Sequence, residues 1–253
     1  MEIIIKWNNK SYQADLSKPI DISIPLDNDN APIAFGAPPF QAKPFQAGTF
    51  IGSLEHGSPV NFYDLQINPH GNGTHTESVK HIDQRGKTIN KTLSSFHFIA
   101  QLITVQPKEL VNGDKLISAD SFTGEISPDV EALIIRTLPN QVSKKNKDYT
   151  GTNPPYFDPE LIQQLNRTKI QHLLVDTPSV DREEDEGKLA AHKTYWATKD
   201  ALFLNKTITE MVYVDNAIQD GLFLLNLQIP SVESDAAPSK PVLFNIVQRE
   251  TFE

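Results

Sequence analysis

Short apolar segments recur along the whole chain, and their length is the feature that most constrains the fold. They run for about four to eight residues between prolines, glycines and asparagines, which favours β-strands over helices. The candidates are Glu2–Ile5, Asp21–Leu26, Val60–Ile67, Ile99–Val105, Ala132–Thr137, Ile170–Asp176, Met211–Val214, Gly221–Gln228 and Val242–Gln248. We therefore expect a strand-rich fold of the α/β or α+β class with few helices.

Helical patterns are fewer than strand patterns. Pro159–Asn166 has a proline near its start and apolar residues at helical spacing, whereas Thr88–Phe96 and Asn216–Asp220 carry weaker signals. Loops are predicted where proline and polar residues accumulate. These stretches are Asp27–Thr49, Pro139–Asp158 and Ser231–Pro241. Because neither an internal repeat nor a linker divides the sequence, we expect a single domain over residues 1–253.

Composition restricts the possible partners and ligands. The net charge of −9 disfavours nucleic acid and anionic membranes as partners, since phosphate binding needs a cationic surface. The 253 residues include no cysteine, so a metal would have to take nitrogen and oxygen ligands. The apolar run in MEIIIKWNNK is too short for the core of a signal peptide, and no other run could cross a bilayer. We expect a cytoplasmic protein with a small-molecule substrate.

Metal-ligand residue types are concentrated in one short segment. His70, His75, Glu77 and His81 lie close together although the chain contains only 7 histidines. Imidazole and carboxylate groups suit zinc, manganese or iron, and residues two apart on an extended backbone share a face. His75 and Glu77 can therefore point at one ion. Spacing alone leaves two interpretations open, a metal site and a set of scattered surface histidines.

Three residues downstream of this segment are candidates for the site only when they are considered together. Asp176 ends an apolar segment, where α/β proteins often place functional side chains, but a turn at Pro178 explains it equally well. The acidic run Arg182–Glu186 is typical of a solvated loop. Taken singly, His192 is typical of a structural histidine, and Glu210 is typical of a carboxylate beside a strand.

The ordered set of segments resembles the cyclase-like metal-dependent hydrolases, which include bacterial kynurenine formamidase and isatin hydrolase. The signature of that family is a histidine, any residue, and then Gly-Thr-His-x-Asp-x-Pro-x-His. Residues 73–75, Glu77 and His81 fall on this pattern, and residues 176–181 resemble a second family segment. The sequence DISIPL and the pair Arg136–Thr137 fit as well, so the resemblance extends over most of the chain from Asp21 onward.

The resemblance implies one or two divalent metal ions, zinc or manganese. His75 and Glu77 would bind the first ion, and Glu77 would bridge to a second ion held by His192 and Glu210. His81 would be the acid/base group, a task that suits imidazole because it exchanges protons near neutral pH. The family likeness further implies a swivelling β/β/α domain, a homodimer or homotetramer, and hydrolysis of an amide or lactam C–N bond in a small aromatic substrate.

The signature segment departs from the family pattern at three positions. The histidine expected two residues before the glycine is His70, one residue earlier, so we expect a bulge at Gly71 and Asn72 to let it reach the metal. Glu77 replaces the aspartate and Val79 the proline. These changes leave open a catalytically silent small-molecule-binding protein with the same fold. The many strands and the expected oligomer leave open a structural or assembly role.

Aromatic residues offer a further candidate set for the substrate pocket. Each is also explained by a place in the core or in an interface. They are Phe96, Phe98, Tyr156, Phe157, Tyr195 and Trp196.

Overall fold

Strands dominate the computed structural model, which describes residues 1–197 and 203–249. The strands are β1 (Glu2–Trp7), β2 (Lys10–Asp15), β3 (Ile20–Asp21), β4 (Gln41–Pro44), β5 (Gln46–Ala47), β6 (Phe50–Ile51), β7 (Tyr63–Gln66), β8 (His75–Ser78), β9 (His97–Val105), β10 (Lys108–Glu109), β11 (Lys115–Ile117), β12 (Ala132–Thr137), β13 (Tyr156–Phe157), β14 (His172–Val175), β15 (Thr207–Glu210), β16 (Gly221–Gln228), β17 (Ala236–Pro238) and β18 (Lys240–Gln248). The α-helices are α1 (Ile89–Thr92), α2 (Pro159–Leu165) and α3 (Ala190–Trp196), and short 3-10 helices cover Leu54–His56, Val79–His81, Ala119–Ser121 and Val142–Lys145. A strand-rich α+β fold with few helices is confirmed.

A single large sheet organises these elements. Its strand order is β1-β2-β18-β16-β9-β12-β14-β15-β8-β17, with β3 paired to β18. Strands β9, β12, β14 and β15 run parallel at the centre, and β8 and β17 continue the sheet in antiparallel fashion beyond β15. The prediction of one domain over residues 1–253 stays a prediction.

The central strands are apolar on both faces because both faces are covered. All six residues of β12 are buried, as the strands of parallel sheets require. Leu133 and Ile135 point to one core cluster, where helices α2 and α3 pack. Ile134 points to a second cluster on the opposite face, together with residues of β16 and β18. Each such fully buried side chain contributes about 1.5–3 kcal/mol through removal of apolar area from water.

Helix α2 forms where the sequence predicts it. The Asp158 carboxylate accepts a hydrogen bond from the Glu160 backbone at 2.9 Å, and Pro159 occupies the first turn, where its missing N–H is not needed. Leu161 and Leu165 then lie on the buried face. None of the helices formed by the described residues combines the length and apolar character that a membrane span requires.

Two predicted strands are wrong in their bounds. The strand expected at Met211–Val214 lies earlier, as β15, because Met211 adopts a left-handed backbone (φ 54°) that ends the ladder. The strand expected at Asp21–Leu26 ends at Asp21. Beyond it, the Ile24 N–H donates to the Thr74 hydroxyl at 2.8 Å, and Pro25 has no N–H to donate.

Several weaker predictions also differ from the structure. The loop expected at Ser231–Pro241 contains β17, which pairs with β8, and the one expected at Asp27–Thr49 contains β4 and β5. The helix expected at Asn216–Asp220 does not form. Within Val60–Ile67 only Tyr63–Gln66 is a strand, and it is exposed throughout. These segments are short, so neighbours distant in sequence decide their conformation.

One buried histidine links the stability of this fold to pH. His172, at the start of β14, forms a hydrogen bond of 2.8 Å between its Nδ1 and the Thr207 hydroxyl. The centroid of its ring lies 4.0 Å from that of the Phe98 ring. Burial lowers the pKa of His172 from 6.5 to about 4. The folded state therefore keeps this ring neutral at pH values where the unfolded chain protonates it.

We predict that the free energy of unfolding falls as pH decreases from about 6.5 to about 4. The loss attributable to His172 is at most about 3 kcal/mol, and it is absent above pH 6.5 because the ring is then neutral in both states. His172→Asn should lower stability by a constant amount and flatten this part of the profile. Urea titrations of both proteins across this range provide the measurement, and parallel profiles would contradict the assignment.

Candidate metal centre

The pairing of β8 with β15 brings three predicted ligands onto one face of the sheet. His75 lies opposite Glu210, and Glu77 lies opposite Ile208, which belongs to the core cluster beneath α2 and α3. All three polar side chains are buried, and Glu77 is fully so. On the other face of the same strands, Thr76 and Thr209 share a hydrogen bond of 2.8 Å between their hydroxyls.

The orientation of His75 is fixed by its own turn. Its Nδ1 donates to the carbonyl oxygen of Gly73 at 2.9 Å, so Nε2 faces the interior, 3.3 Å from Oε2 of Glu210. Gly73 has a φ of 142°, and a Cβ there would come within 2.7 Å of Leu26. This glycine is therefore needed for the conformation that presents His75.

Helix α3 supplies His192 on the same face. Asp181 accepts hydrogen bonds from the backbone N–H groups of Ala191 (2.6 Å) and His192 (3.1 Å), and so caps the first turn of the helix. The same carboxylate lies 2.6 Å from Nδ1 of His192. The remaining nitrogen, Nε2, points to Glu77 at 3.1 Å and to Glu210 at 3.8 Å.

His70 and His81 close the more exposed side of the cluster. Nδ1 of His70 lies 3.3 Å from Oε2 of Glu77, and Nε2 of His81 lies 3.8 Å from the same oxygen. The two rings stack with centroids 4.2 Å apart. Both also contact the carboxylate of Asp235, at 2.9 Å and 3.2 Å respectively.

The bulge expected at Gly71 and Asn72 is not how His70 reaches the cluster. This segment is a turn, in which the backbone N–H groups of Gly71 and Asn72 both donate to the carbonyl of Asn68. His70 lies in a turn and not in a strand, so side chains there do not alternate between the two faces of a sheet. The one-residue shift from the family pattern therefore does not turn His70 away from the cluster. A Cβ on Gly71 would meet that of Ala37 at 2.3 Å, so the turn requires glycine there.

Opposite charges at close range set the ionisation of the cluster. Burial by itself would raise the pKa of Glu77, but the charge and hydrogen bond of His192, together with His70 and His81, hold it well below its ordinary value. Burial would likewise lower the pKa of His70, yet its contacts with the carboxylates of Asp235 and Glu77 raise it to about 10. For the same type of reason the pKa of His192 is raised well above its ordinary value. Without a metal, protons on His70 and His192 compensate the charge of Glu77.

The cluster fits a metal ion on two grounds. Nε2 of His75 and Oε2 of Glu77 are buried without a hydrogen-bond partner among the described residues, which is costly for polar atoms unless something else binds them. Ligand atoms of His70, His75 and Glu77 lie within 4.8 Å of one another, as do those of Glu77, His81 and His192. Nitrogen and carboxylate oxygen donors of this kind suit zinc or manganese.

All six residues predicted for the site meet in space, although their separate roles stay predictions. Asp176 lies outside the cluster, and of the aromatic candidates Trp196 borders it. Asp176 binds the Lys144 ammonium at 2.7 Å and the hydroxyl of Thr137 at 2.9 Å. Of the aromatic set, Phe98, Phe157, Tyr195 and Trp196 are buried in the core, and Trp196 lies beside His192 with ring centroids 5.5 Å apart.

Sequence reasoning missed two carboxylates that contact the cluster, Asp181 and Asp235. Asp181 stood in a segment that matched the family, but nothing in its spacing showed that it would bind His192. Asp235 lay inside a stretch predicted as a loop. The only available signal was the short apolar run after it, Ala236–Pro238, which becomes β17.

Comparison with known proteins then places the chain in a family. The family model described as a putative cyclase matches residues 20–182. The chain belongs to the cyclase family. This confirms the family predicted from sequence. Kynurenine formamidase of Bacillus mycoides (strain KBAB4) is 28% identical over 225 residues, covering 88% of this chain and 96% of that protein. The kynurenine formamidase of Bacillus anthracis is 28% identical over 229 residues, covering 90% and 97%.

Solved structures share the fold of this cyclase-family chain. A potential metal-dependent hydrolase with cyclase activity superposes with a TM-score of 0.64 at 17% identity, covering 92% of this chain and 98% of the other. An isatin hydrolase bound to the product analogue thioisatinate gives a TM-score of 0.61 at 16% identity, covering 92% and 93%. At these identities the likeness establishes the fold alone.

Asp181 offers a test of how the cluster is held together. We predict that Asp181→Ala lowers the free energy of unfolding by about 1–3 kcal/mol, since it removes the cap of α3 and the partner of His192. It should also weaken zinc binding by about 10- to 100-fold, as is typical when the partner of a histidine ligand is lost.

Asp185→Ala is the matched control for that variant. Asp185 lies in the same loop and accepts hydrogen bonds from the backbone of Gly187 and Leu189, but it does not contact His192. Thermal denaturation and a competitive zinc titration would measure both variants. Equal zinc affinity in the two would show that Asp181 does not orient His192.

Proposed function

We propose that this cyclase-family protein is a metal-dependent hydrolase that cleaves an amide or lactam C–N bond, other than a peptide bond, in a small aromatic substrate. The convergence of His75, Glu77, His192 and Glu210, with two buried atoms unpartnered, is the observation that carries the proposal. These side chains come from β8, α3 and β15, and a histidine–carboxylate cluster of this density has few explanations other than a cation.

The proposed ligand assignment combines the group of close ligand atoms formed by His70, His75 and Glu77 with the second ligand set that the family likeness implies. His70, His75 and Glu77 would hold one divalent ion, zinc or manganese. Glu77, His192 and Glu210 would hold a second, with Glu77 shared between them. A divalent ion there supplies Lewis acidity, which lowers the pKa of water toward neutrality and polarises a carbonyl group.

His81 is the proposed acid/base group. It lies on the open side of the cluster, with 30% of its side chain exposed, and its Nε2 faces Glu77. In the hydrolysis, water adds to the carbonyl carbon, the C–N bond breaks, and one proton passes from the water to the leaving nitrogen. A single imidazole beside the carbonyl can accept that proton and then donate it.

The aromatic character of the substrate is proposed from the relatives rather than from the pocket walls. Both kynurenine formamidase and isatin hydrolase are named for aromatic compounds. Assembly as a homodimer or homotetramer is also part of the proposal. It is supported by exposed apolar side chains that gather in one stretch of the sequence, namely Phe50, Leu54, Val60, Phe62 and Leu65.

Metal analysis combined with an activity assay tests the proposed function. We predict that the purified protein contains zinc or manganese, that it hydrolyses N-formylkynurenine or isatin, and that chelation abolishes this activity. His75→Ala and Glu77→Ala should lose both metal and activity, whereas His81→Ala should keep the metal and lose at least about 100-fold in kcat.

The controls separate hydrolysis from binding alone. His97→Ala alters an exposed histidine at the start of β9, outside the cluster, and should leave both metal content and activity unchanged. Wild-type protein free of metal under all loading conditions would refute the proposal. Metal binding without turnover of either compound would favour a silent binding protein.

Proton release on metal binding gives a second prediction. His70 and His192 are protonated at neutral pH without metal, because the pKa of His70 is about 10 and that of His192 is raised well above its ordinary value. Imidazole must lose its proton to bind a metal, so we expect about two protons to be released per loaded site at pH 7.5. Zinc affinity should accordingly rise with pH between 6 and 9.

Calorimetry in buffers of different ionisation enthalpy measures the proton count. Wild type would be compared with His70→Ala, which should release about one proton fewer. Zinc binding that is independent of pH, with no proton release, would contradict the assignment of these histidines as ligands.

A further inference from the structure

Asp235 is held against the cluster by the edge of the main sheet. It directly precedes β17, whose Ala236 lies opposite Glu77 of β8. The carbonyl of Asp235 accepts a hydrogen bond from the Ser78 N–H at 3.0 Å, and its Oδ1 accepts one from the Ser234 hydroxyl at 2.9 Å. The backbone and one carboxylate oxygen are therefore fixed before any contact with the histidines.

The other oxygen of this carboxylate binds two imidazole rings at once. Oδ2 lies 2.9 Å from Nε2 of His70 and 3.2 Å from Nδ1 of His81. A carboxylate oxygen accepts hydrogen bonds, so both of these nitrogens carry protons. The opposite nitrogens, Nδ1 of His70 and Nε2 of His81, consequently face the same unpartnered oxygen of Glu77.

This arrangement gives His70 a different orientation from the other two proposed histidine ligands. His75 and His192 each use Nδ1 for a hydrogen bond, to the Gly73 carbonyl and to Asp181, and they present Nε2. His70 uses Nε2 and presents Nδ1. The difference follows from Asp235, whose Oδ2 is the acceptor that Nε2 of His70 contacts among the described residues.

We infer that Asp235 is a positioning residue that fixes the orientation of two imidazole rings through one carboxylate oxygen. In this orientation His70 would bind metal through Nδ1, and His81 would transfer protons through Nε2. This inference rests on the proposed function of the cluster. Both rings are partly exposed, at 24% and 30% of their side chains, so they would otherwise sample several rotamers. A hydrogen bond to a carboxylate also makes the far nitrogen of an imidazole more basic.

The stacking of the two rings shows why a shared acceptor matters. Their planes differ by 30° and their centroids are 4.2 Å apart, so a rotation of one ring displaces the other. With a common acceptor, the ring that binds metal and the ring that moves protons keep a fixed separation. When reacting groups must be held close together and aligned, a small displacement of either group lowers the reaction rate strongly.

Asp235→Asn and Asp235→Ala test the inference, with Glu233→Gln as the matched control. Glu233 lies two residues away and binds Thr88 and Asn90 without contacting the cluster. We expect kcat for N-formylkynurenine or isatin to fall about 10- to 100-fold in Asp235→Ala, less in Asp235→Asn, with little change in KM and none in the control.

Nitrogen-15 spectra of the histidine rings provide a readout that a merely structural role would not move. In wild type loaded with zinc, His70 should show a proton on Nε2 and a metal-shifted Nδ1, and His81 a proton on Nδ1. In Asp235→Ala both ring protons should exchange rapidly with water and His70 should populate both tautomers. The metal-free protein should also show slowly exchanging protons on Nε2 of His70 and Nδ1 of His81, and this measurement requires no hydrolysis assay.

Several outcomes would overturn the inference. Unchanged ring tautomers and kcat in Asp235→Ala would show that Asp235 does not position the rings. Anomalous scattering from an ion bound by His70, His81 and Asp235 together would make Asp235 a ligand instead, because these three also lie close enough to bind one ion. Failure of wild type to bind metal or to turn over substrate would refute the proposed function, while the metal-free spectra would still decide the role of Asp235.

Discussion

The negative charge of Glu77 is the constraint on which the rest of the site depends. This carboxylate is completely buried in β8, which lies between β15 and the edge strand β17 of the main sheet. A buried carboxylate without compensation costs several kcal/mol, so positive charge must reach it. Three histidines approach Glu77 within 4 Å, from a turn, a 3-10 helix and α3, and the raised pKa values of His70 and His192 let these two supply that charge.

The fold meets this requirement without disturbing its core. The backbone of β8 pairs on both sides, with β15 and with β17, and Thr76 and Thr209 satisfy each other on the far face. The polar cluster therefore lies at one end of the apolar layer formed with α2 and α3. Asp181 binds one ring nitrogen of His192, and Asp235 binds one ring nitrogen each of His70 and His81. The other nitrogen of each of these rings is directed toward Glu77.

The sequence predicted those parts of the site that depend on residue type and local spacing. His75 and Glu77 are two apart on a strand, so their common face follows from the backbone alone. The family likeness added His192 and Glu210, whose positions depend on strand pairing and on α3. The role of Asp235 could not be predicted, because it depends on contacts between residues distant in sequence. Asp235 reaches His70 only when β17 pairs with β8.

The errors in the fold have the same cause. Residues 211–214 have the apolar character of a strand, but the left-handed backbone of Met211 moves the ladder to Thr207–Glu210, which is more polar. That displacement places Glu210 opposite His75. A prediction from hydrophobicity favours the apolar residues as the strand, and so it misses the pairing that builds the site.

A divalent cation bound in this site would compete with protons for the histidine nitrogens that face Glu77. Without a metal, His70 and His192 keep their protons and neutralise Glu77, so the cluster can fold as a set of ion pairs. The apolar layers on the two faces of the sheet consist of side chains other than those of the cluster, and they stabilise the fold with or without an ion. A cation bound at the proposed site would therefore displace protons instead of supplying the energy of folding. This separation is what a catalytic metal site requires, because ligands held ready in the folded chain leave a position on the ion open to substrate.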